Sequence, residues 1–234
     1  MTDHVVVRTR RGPSGKVVTA LAKSGVATSH EAHGRRGLLG PELRPIYPGA
    51  RIAGRAVTVL SHPGDNLMIH ASIEQCREGD ILVVATTSRS TDGMFGDLFA
   101  TQLLHRGVRG LVTDAGVRDI ADLQAMGFPV WSRAVHAQGT AKAVAGSVNV
   151  PIVVAGQLVN PGDIIVADDD GVLCVPLTEG EAVVEAAAKR EAGEEAKRLR
   201  FREGELGLDL YDMRPQLERL GVRYVDADEP EETR

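Results

Sequence analysis

The chain switches between two hydrophobic rhythms, and the switches mark its elements. Val17 to Ser24 has helical spacing. Ala50 to Leu60 alternates as a strand does, with Val57 and Val59 on one face. Asn66 to Cys76 returns to a helical period. Ile81-Leu82-Val83-Val84-Ala85 is a continuous apolar run suited to a strand covered on both faces. From Gly96-Asp97 a helix is expected in which Phe99 and Leu103 share a face and which Gly107 and Gly110 close. Leu111-Val112-Thr113 reads as a short buried strand and Ala115-Gly116 as a turn. Arg118-Asp119 starts a helix over Ile120 to Met126, capped by Gly127. Phe128 to Ser132, Val148 to Val154, Gln157 to Val159, Ile164 to Ala167 and Val172 to Val175 complete the strands. Helices alternating with apolar strands place the fold in the α/β class.

The other segments carry less periodicity. Met1 to Gly15 is polar, with Arg8, Arg10 and Arg11, and reads as an extended arm with a solvated basic surface. Ala27 to Gly40 holds His30, Glu31, His33, Arg35 and Arg36 among glycines, either an exposed loop or the lip of a site. Asp168-Asp169-Asp170-Gly171 lacks EF-hand spacing and reads as a tight hairpin turn with Gly at positive φ. Glu179 to Glu203 is a long Ala-rich helix with interleaved charges, and its apolar positions become sparse after Arg190. Its second half is either solvated or docked on a neighbouring subunit. Gly204 to Val225 adds enough leucines to need a partner surface, and Asp226 to Arg234 is acidic and expected to be disordered. The expected divisions are an arm (1–16), a main domain (17–178), a helix and oligomerisation arm (179–225) and a tail (226–234).

Composition narrows the class. In 234 residues, 43% hydrophobic content supports a full core, and only 3% aromatic content makes that core aliphatic. A formal charge of -5 with mixed signs argues against nucleic acid as a main partner. Cys76 and Cys174 form no close motif and are expected to be buried free thiols in a reducing cytoplasm. The N-terminus lacks the apolar core of a secretory signal, and no apolar run approaches the roughly 18 residues of a membrane span.

Candidate chemistry concentrates between Gly96 and Asp119. Two expected helix N-termini, each headed by an acid, bracket one strand. Helix N-termini receive anions. Asp97 beside an anion would repel it unless a divalent cation or its waters lie between them. Arg118 adds a fork of donors suited to a carboxylate. These residues suggest a metal-assisted site for a small organic acid. The bland alternative is that Asp97 and Asp119 are N-caps and that Arg118 pairs with a surface acid. No lysine falls inside this stretch, which fits a metal-assisted site better than a Schiff base. His70 is either a core-edge histidine or a site residue.

Gly96-Asp97 followed, after Leu98 to Val117, by Arg118-Asp119 resembles the Asp-x20-Arg-Asp pattern of the class II pyruvate aldolases in the regulator-of-ribonuclease-activity-A-like superfamily. Ser24 to Ala32, Pro63-Gly64-Asp65-Asn66, Ile69-His70 and Gly156 to Gly171 are similar to the 4-hydroxy-4-methyl-2-oxoglutarate / 4-carboxy-4-hydroxy-2-oxoadipate aldolases, so that the resemblance covers roughly Val17 to Val225. Phe99 departs from it, standing where the family more often has leucine. The resemblance implies a swivelling β/β/α (phosphohistidine-domain-like) domain with a helical C-terminal extension, assembled as homotrimers and homohexamers. It implies cytoplasmic, Mg²⁺- or Mn²⁺-dependent retro-aldol cleavage through a pyruvate enolate, in aromatic-acid degradation. Asp119 would be the metal ligand and Asp97 would hold a metal water. Backbone N–H groups of Gly96, Asp97, Leu98 and Phe99 would hold the substrate carboxylate, and Arg118 the C2 oxygen. Glu31 and Glu194 would be acids contributed across a subunit boundary, with His70 near the site. For Glu194 a solvated helix face remains the alternative. Other functions compatible with the chain are oxaloacetate decarboxylation on the same residues and non-catalytic binding of a ribonuclease assembly.

Overall fold

The computed structural model describes residues 4–9 and 11–226. Most of the expected tail, 227–234, and residues 1–3 and 10 of the arm lie outside them. Two compact units result, 1–189 and 190–234.

The first unit is a mixed α/β domain. In chain order its elements are α1 (Gly15–Ala32), β1 (Arg44–Pro45), β2 (Ile52–Ser61), α2 (Leu67–Ile73), β3 (Asp80–Thr86), β4 (Gly93–Phe95), α3 (Asp97–His105), β5 (Gly110–Val117), α4 (Ile120–Ala125), β6 (Val130–Val135), β7 (Ser147–Val148), β8 (Ile152–Val154), β9 (Gln157–Val159), β10 (Ile164–Asp168) and β11 (Gly171–Val175). Helix α5 (Gly180–Arg202) runs across the division, and α6 (Gly207–Leu210) and α7 (Arg214–Arg219) follow in the second unit. Among the described residues, one sheet has the order β1-β6-β5-β3-β2-β10-β11, with β4 beside β5 and β7 beside β2. β2, β3, β5 and β6 are parallel, and β10 and β11 are antiparallel.

The segment 37–45 joins the two ends of this sheet. Leu39 donates to Val172 O (2.9 Å) at the β11 edge, and Arg44 pairs with Ser132 at the β6 edge. The sheet is therefore a nearly closed, swivelling-barrel-like surface, and its edge groups are paired rather than left as a template. One face packs on α2, α3 and α4 through Val57, Val59, Leu82, Val84 and Leu111. The other encloses Ile81, Val83, Val112 and Trp131. The core is aliphatic and both cysteines are buried free thiols, as composition implied.

Three local expectations are corrected. The helix from Val17 does not stop at Ser24. It kinks at Gly25 (φ 75°, ψ -179°) and continues to Ala32, so His30 and Glu31 are helical and not on a loop. The kink is held by Asp168, whose carboxylate accepts the Val26 N–H (2.9 Å) and leaves no room for a Cβ at Gly25. Ala115-Gly116 is not a turn but part of β5, because Gly116 pairs with Gly93 and Ala134 at an irregularity in the ladder. Val148 to Val154 is two strands, since Asn149 (φ 56°) breaks the run. The Asp168–Gly171 hairpin is present, with Gly171 at φ 136°.

Candidate active site

The carboxyl end of β5 and the N-terminus of α3 meet in an open cleft of about 100 Å³, lined by Asp97, Leu98, Phe99, Arg118 and Asp119, by Asn66 and His70, and by Gln102 and Lys142. Ligand sites collect at such strand ends in α/β sheets.

Gly96 is the N-cap of α3 and Asp97 its first residue. The first-turn amides of a helix lack intrahelical acceptors. Here the Asp97 N–H reaches Asp119 Oδ2 at 3.4 Å, while the Phe99 N–H is turned onto Gly96 O at 3.2 Å. The Leu98 amide lies between them, beneath a side chain that is 73% exposed. Asp119 stands at the N-cap of α4 with φ 57°, yet its side chain caps nothing there. A non-glycine residue in the left-handed region is uncommon, and here the strain accompanies a carboxylate turned to the cleft. Arg118 Nε is 3.6 Å from Asp119 Oδ2, and both side chains are partly exposed. Arg118 is anchored through its own N–H to Phe95 O (2.9 Å).

Also at the cleft, Asn66 is buried, donates Nδ2 to Met94 O (3.2 Å) and has no partner for Oδ1. The His70 ring packs on Phe99, with centroids 4.4 Å apart. Burial, and then the neighbouring Lys142 charge, hold the His70 imidazole below its ordinary range. Lys142 reaches the cleft on a loop clamped to Asp65, whose carboxylate accepts the N–H groups of Ala143 (2.7 Å) and Val144 (3.0 Å). A lysine is therefore present after all, and its absence from the 96–119 stretch no longer argues against an amine mechanism. Sequence reasoning missed Lys142 and Gln102, and nothing in the local pattern of residues 139–144 marks that segment as a site.

Glu31 does not line the cleft; it lies on α1 and pairs with Arg35 (3.1 Å). Glu194 belongs to the second unit, where it pairs with Arg190 (2.8 Å) and Arg198 (3.3 Å) along α5. Among the described residues no group of three or more His, Cys, Asp and Glu side chains forms a metal cluster. The carboxylates at the cleft are Asp97 and Asp119. Gly96 lets the Asp119 carboxylate lie against the start of α3, and hard oxygen donors suit Mg²⁺ or Mn²⁺. No helix among the described residues is long and apolar enough to cross a membrane.

Residues 9–174 match the family described as RraA-like, Aldolase/RraA. A protein of Halalkalibacterium halodurans named "Putative 4-hydroxy-4-methyl-2-oxoglutarate aldolase" is 30% identical over 169 residues, 72% of this chain and 80% of its own. A 4-hydroxy-4-methyl-2-oxoglutarate aldolase of Thermus thermophilus is 31% identical over 127 residues, 54% of this chain and 77% of its own. The crystal structure of Streptomyces coelicolor RraAS2, described as an unusual member of the RNase ES inhibitor RraA family, superposes with a TM-score of 0.72. It is 29% identical and covers 81% of this chain and 99% of its own. The nearly closed sheet and these likenesses agree: the chain belongs to the RraA-like family, Aldolase/RraA.

Proposed function

We propose that the cleft carries out divalent-cation-dependent retro-aldol cleavage of a 4-hydroxy-2-oxo acid, releasing pyruvate. The substrates are 4-hydroxy-4-methyl-2-oxoglutarate, 4-carboxy-4-hydroxy-2-oxoadipate or both, and aromatic-acid degradation in the cytoplasm is the setting. The observation that carries this reading is Asp119. Its backbone is held in the left-handed region while its carboxylate leaves its own helix uncapped and faces the start of α3.

Asp119, and Asp97 through water, would hold Mg²⁺ or Mn²⁺. Bound there, such a cation supplies Lewis-acid charge to a carbonyl oxygen. The protein's own residues do the rest. The N-terminus of α3, through the Leu98 amide, receives the C1 carboxylate. Arg118 donates to the C2 oxygen, where negative charge arrives as the C3–C4 bond breaks. The C4 hydroxyl proton leaves to a base of the cleft, the role assigned to the His70 imidazole. A water held by Asp97 returns a proton to C3 of the enolate, giving pyruvate. Oxaloacetate would lose CO₂ through the same enolate, a side activity of the same residues. Glu31 and Glu194 complete the site from a neighbouring protomer in a homotrimer or homohexamer.

The experiment is pyruvate release from both substrates by the purified protein, with Mg²⁺, Mn²⁺ or EDTA. Release that chelator stops and Asp119→Ala abolishes supports the reading; unchanged turnover in either arm overturns it. Lys142 favours a second reading, a Schiff base on its amine. Borohydride inactivation in the presence of pyruvate, with chelator-insensitive turnover, would establish that mechanism instead. The RraAS2 likeness favours non-catalytic binding, which a protein devoid of lyase turnover would indicate.

A further inference from the structure

Aromatic residues are scarce in this chain, yet three of its four phenylalanines form one row. Phe128 lies 5.7 Å from Phe95, Phe95 lies 5.5 Å from Phe99, and both pairs are stacked within 18° of parallel. The row ends on His70, tilted at 50° over Phe99. Phe128 and Phe95 are fully enclosed and Phe99 nearly so, whereas His70 is exposed to the cleft. A row of rigid rings in an aliphatic core thus terminates on the imidazole that lines the site. Phe99 is the surface on which that ring rests.

From this row we infer that the Phe99 side chain is a positioning residue, fixing the His70 imidazole at the cleft wall for proton transfer. The inference rests on the aldolase reading above. Seated against Phe99, the imidazole loses hydration on one side, which disfavours its charged form, while the π-face offsets only part of that loss; a ring that swings away regains the hydration. The charged groups sharing the cleft with His70 are Lys142 from the 136–146 loop, Asp97 from α3, and Arg118 and Asp119 from the β5–α4 junction. The lysine lowers the ring's proton affinity as well, so the imidazole is kept neutral, able to take a proton from a substrate hydroxyl. A flexible aliphatic side chain at position 99 would fill the core but would leave the ring free to rotate away.

The test is a double-mutant cycle with a direct titration. His70 is assigned in proton–carbon spectra by the signal lost in His70→Gln, and its midpoint is followed in wild type, Phe99→Leu and Phe99→Tyr. In Phe99→Leu the midpoint should rise by about half a pH unit, and kcat for pyruvate release should fall about tenfold with KM within about twofold. Phe99→Tyr keeps the ring face and should shift both values less than Phe99→Leu does. In the His70→Gln background, Phe99→Leu should cost little more, since both changes remove one interaction. An unmoved midpoint in Phe99→Leu, or fully additive losses, overturns the role of Phe99. Absence of turnover in the wild-type protein overturns the aldolase reading instead, so the two failures are distinguishable.

Discussion

A Cβ built on Gly96 would collide with Asp119 Oδ2, far inside any tolerated non-bonded distance. The start of α3 and the carboxylate after β5 therefore form one wall, although 22 positions separate Asp97 from Asp119. The Gly96 backbone is extended (φ -157°, ψ -166°), a conformation open to any residue, so space alone demands glycine. Gly96→Ala should push the Asp119 carboxylate out of place. Pyruvate release should drop about 100-fold, while denaturant melts should show a loss of only about 1–2 kcal/mol. Wild-type turnover in Gly96→Ala would mean that this contact does not matter to the chemistry.

Asp119 itself separates strain from charge. Asparagine tolerates the left-handed region about as well as aspartate, so Asp119→Asn should keep stability within about 0.5 kcal/mol. Losing the carboxylate should still cost about 10³-fold in initial rate, the scale set by a few kcal/mol of charge stabilisation. Asp119→Ala should lose activity equally and also cost about 1 kcal/mol in stability, because alanine pays the left-handed penalty in full. Thermal melts beside rate assays separate the two variants.

The wall that these residues form was legible in outline. The helix start at Gly96, the buried strand after Gly110 and the acid at 119 all follow from short-range spacing. What escaped the sequence depends on contacts between distant segments. The continuation of α1 past Gly25 hangs on a carboxylate 142 residues away, at Asp168. Ala115-Gly116 has turn composition, but the neighbouring strands pair with it and win. Lys142 sits in an Ala- and Gly-rich stretch without periodicity, and the clamp that brings it to the cleft comes from Asp65, 78 residues before Ala143. Local propensity is silent on such long-range hydrogen bonds.

That clamp has a pH signature. Burial raises the Asp65 carboxyl, but the N–H donors of Ala143, Leu67 and Val144 outweigh it, and the group is held below the usual carboxylate range. A carboxylate depressed in the folded state contributes stability that is complete above its unfolded value of about 3.9 and is lost as pH falls through its folded value. Asp65→Asn should therefore be less stable at pH 7 by about 1–3 kcal/mol. The gap from wild type should narrow in urea titrations repeated near pH 3. With the 141–144 loop loosened, KM for the oxo-acid should rise through the displacement of Lys142. A gap of equal size at both pH values would show that shape, not ionisation, holds the loop.

At the amino ends of β2 and β3, away from the reacting groups, Arg55 and Asp80 form a buried ion pair. Their side chains are 4% and 1% exposed, and two contacts of 2.7 and 2.5 Å join them. Arg55 also donates to Thr9 O (3.1 Å), and Asp80 also accepts the Arg77 N–H (2.9 Å), so the pair ties the arm and the β3 turn to the sheet. Desolvating two charges offsets most of their attraction, so the pair's net worth is small, while breaking it strands a buried charge. Arg55→Met should cost about 3–5 kcal/mol in denaturant unfolding, and Arg55→Met with Asp80→Leu should recover much of that. Recovery would show that the charges serve to fix the arm's register and not to stabilise the sheet. A double variant as unstable as Arg55→Met would instead assign the loss to the hydrogen bonds that Arg55 makes to the arm and Asp80 to the turn.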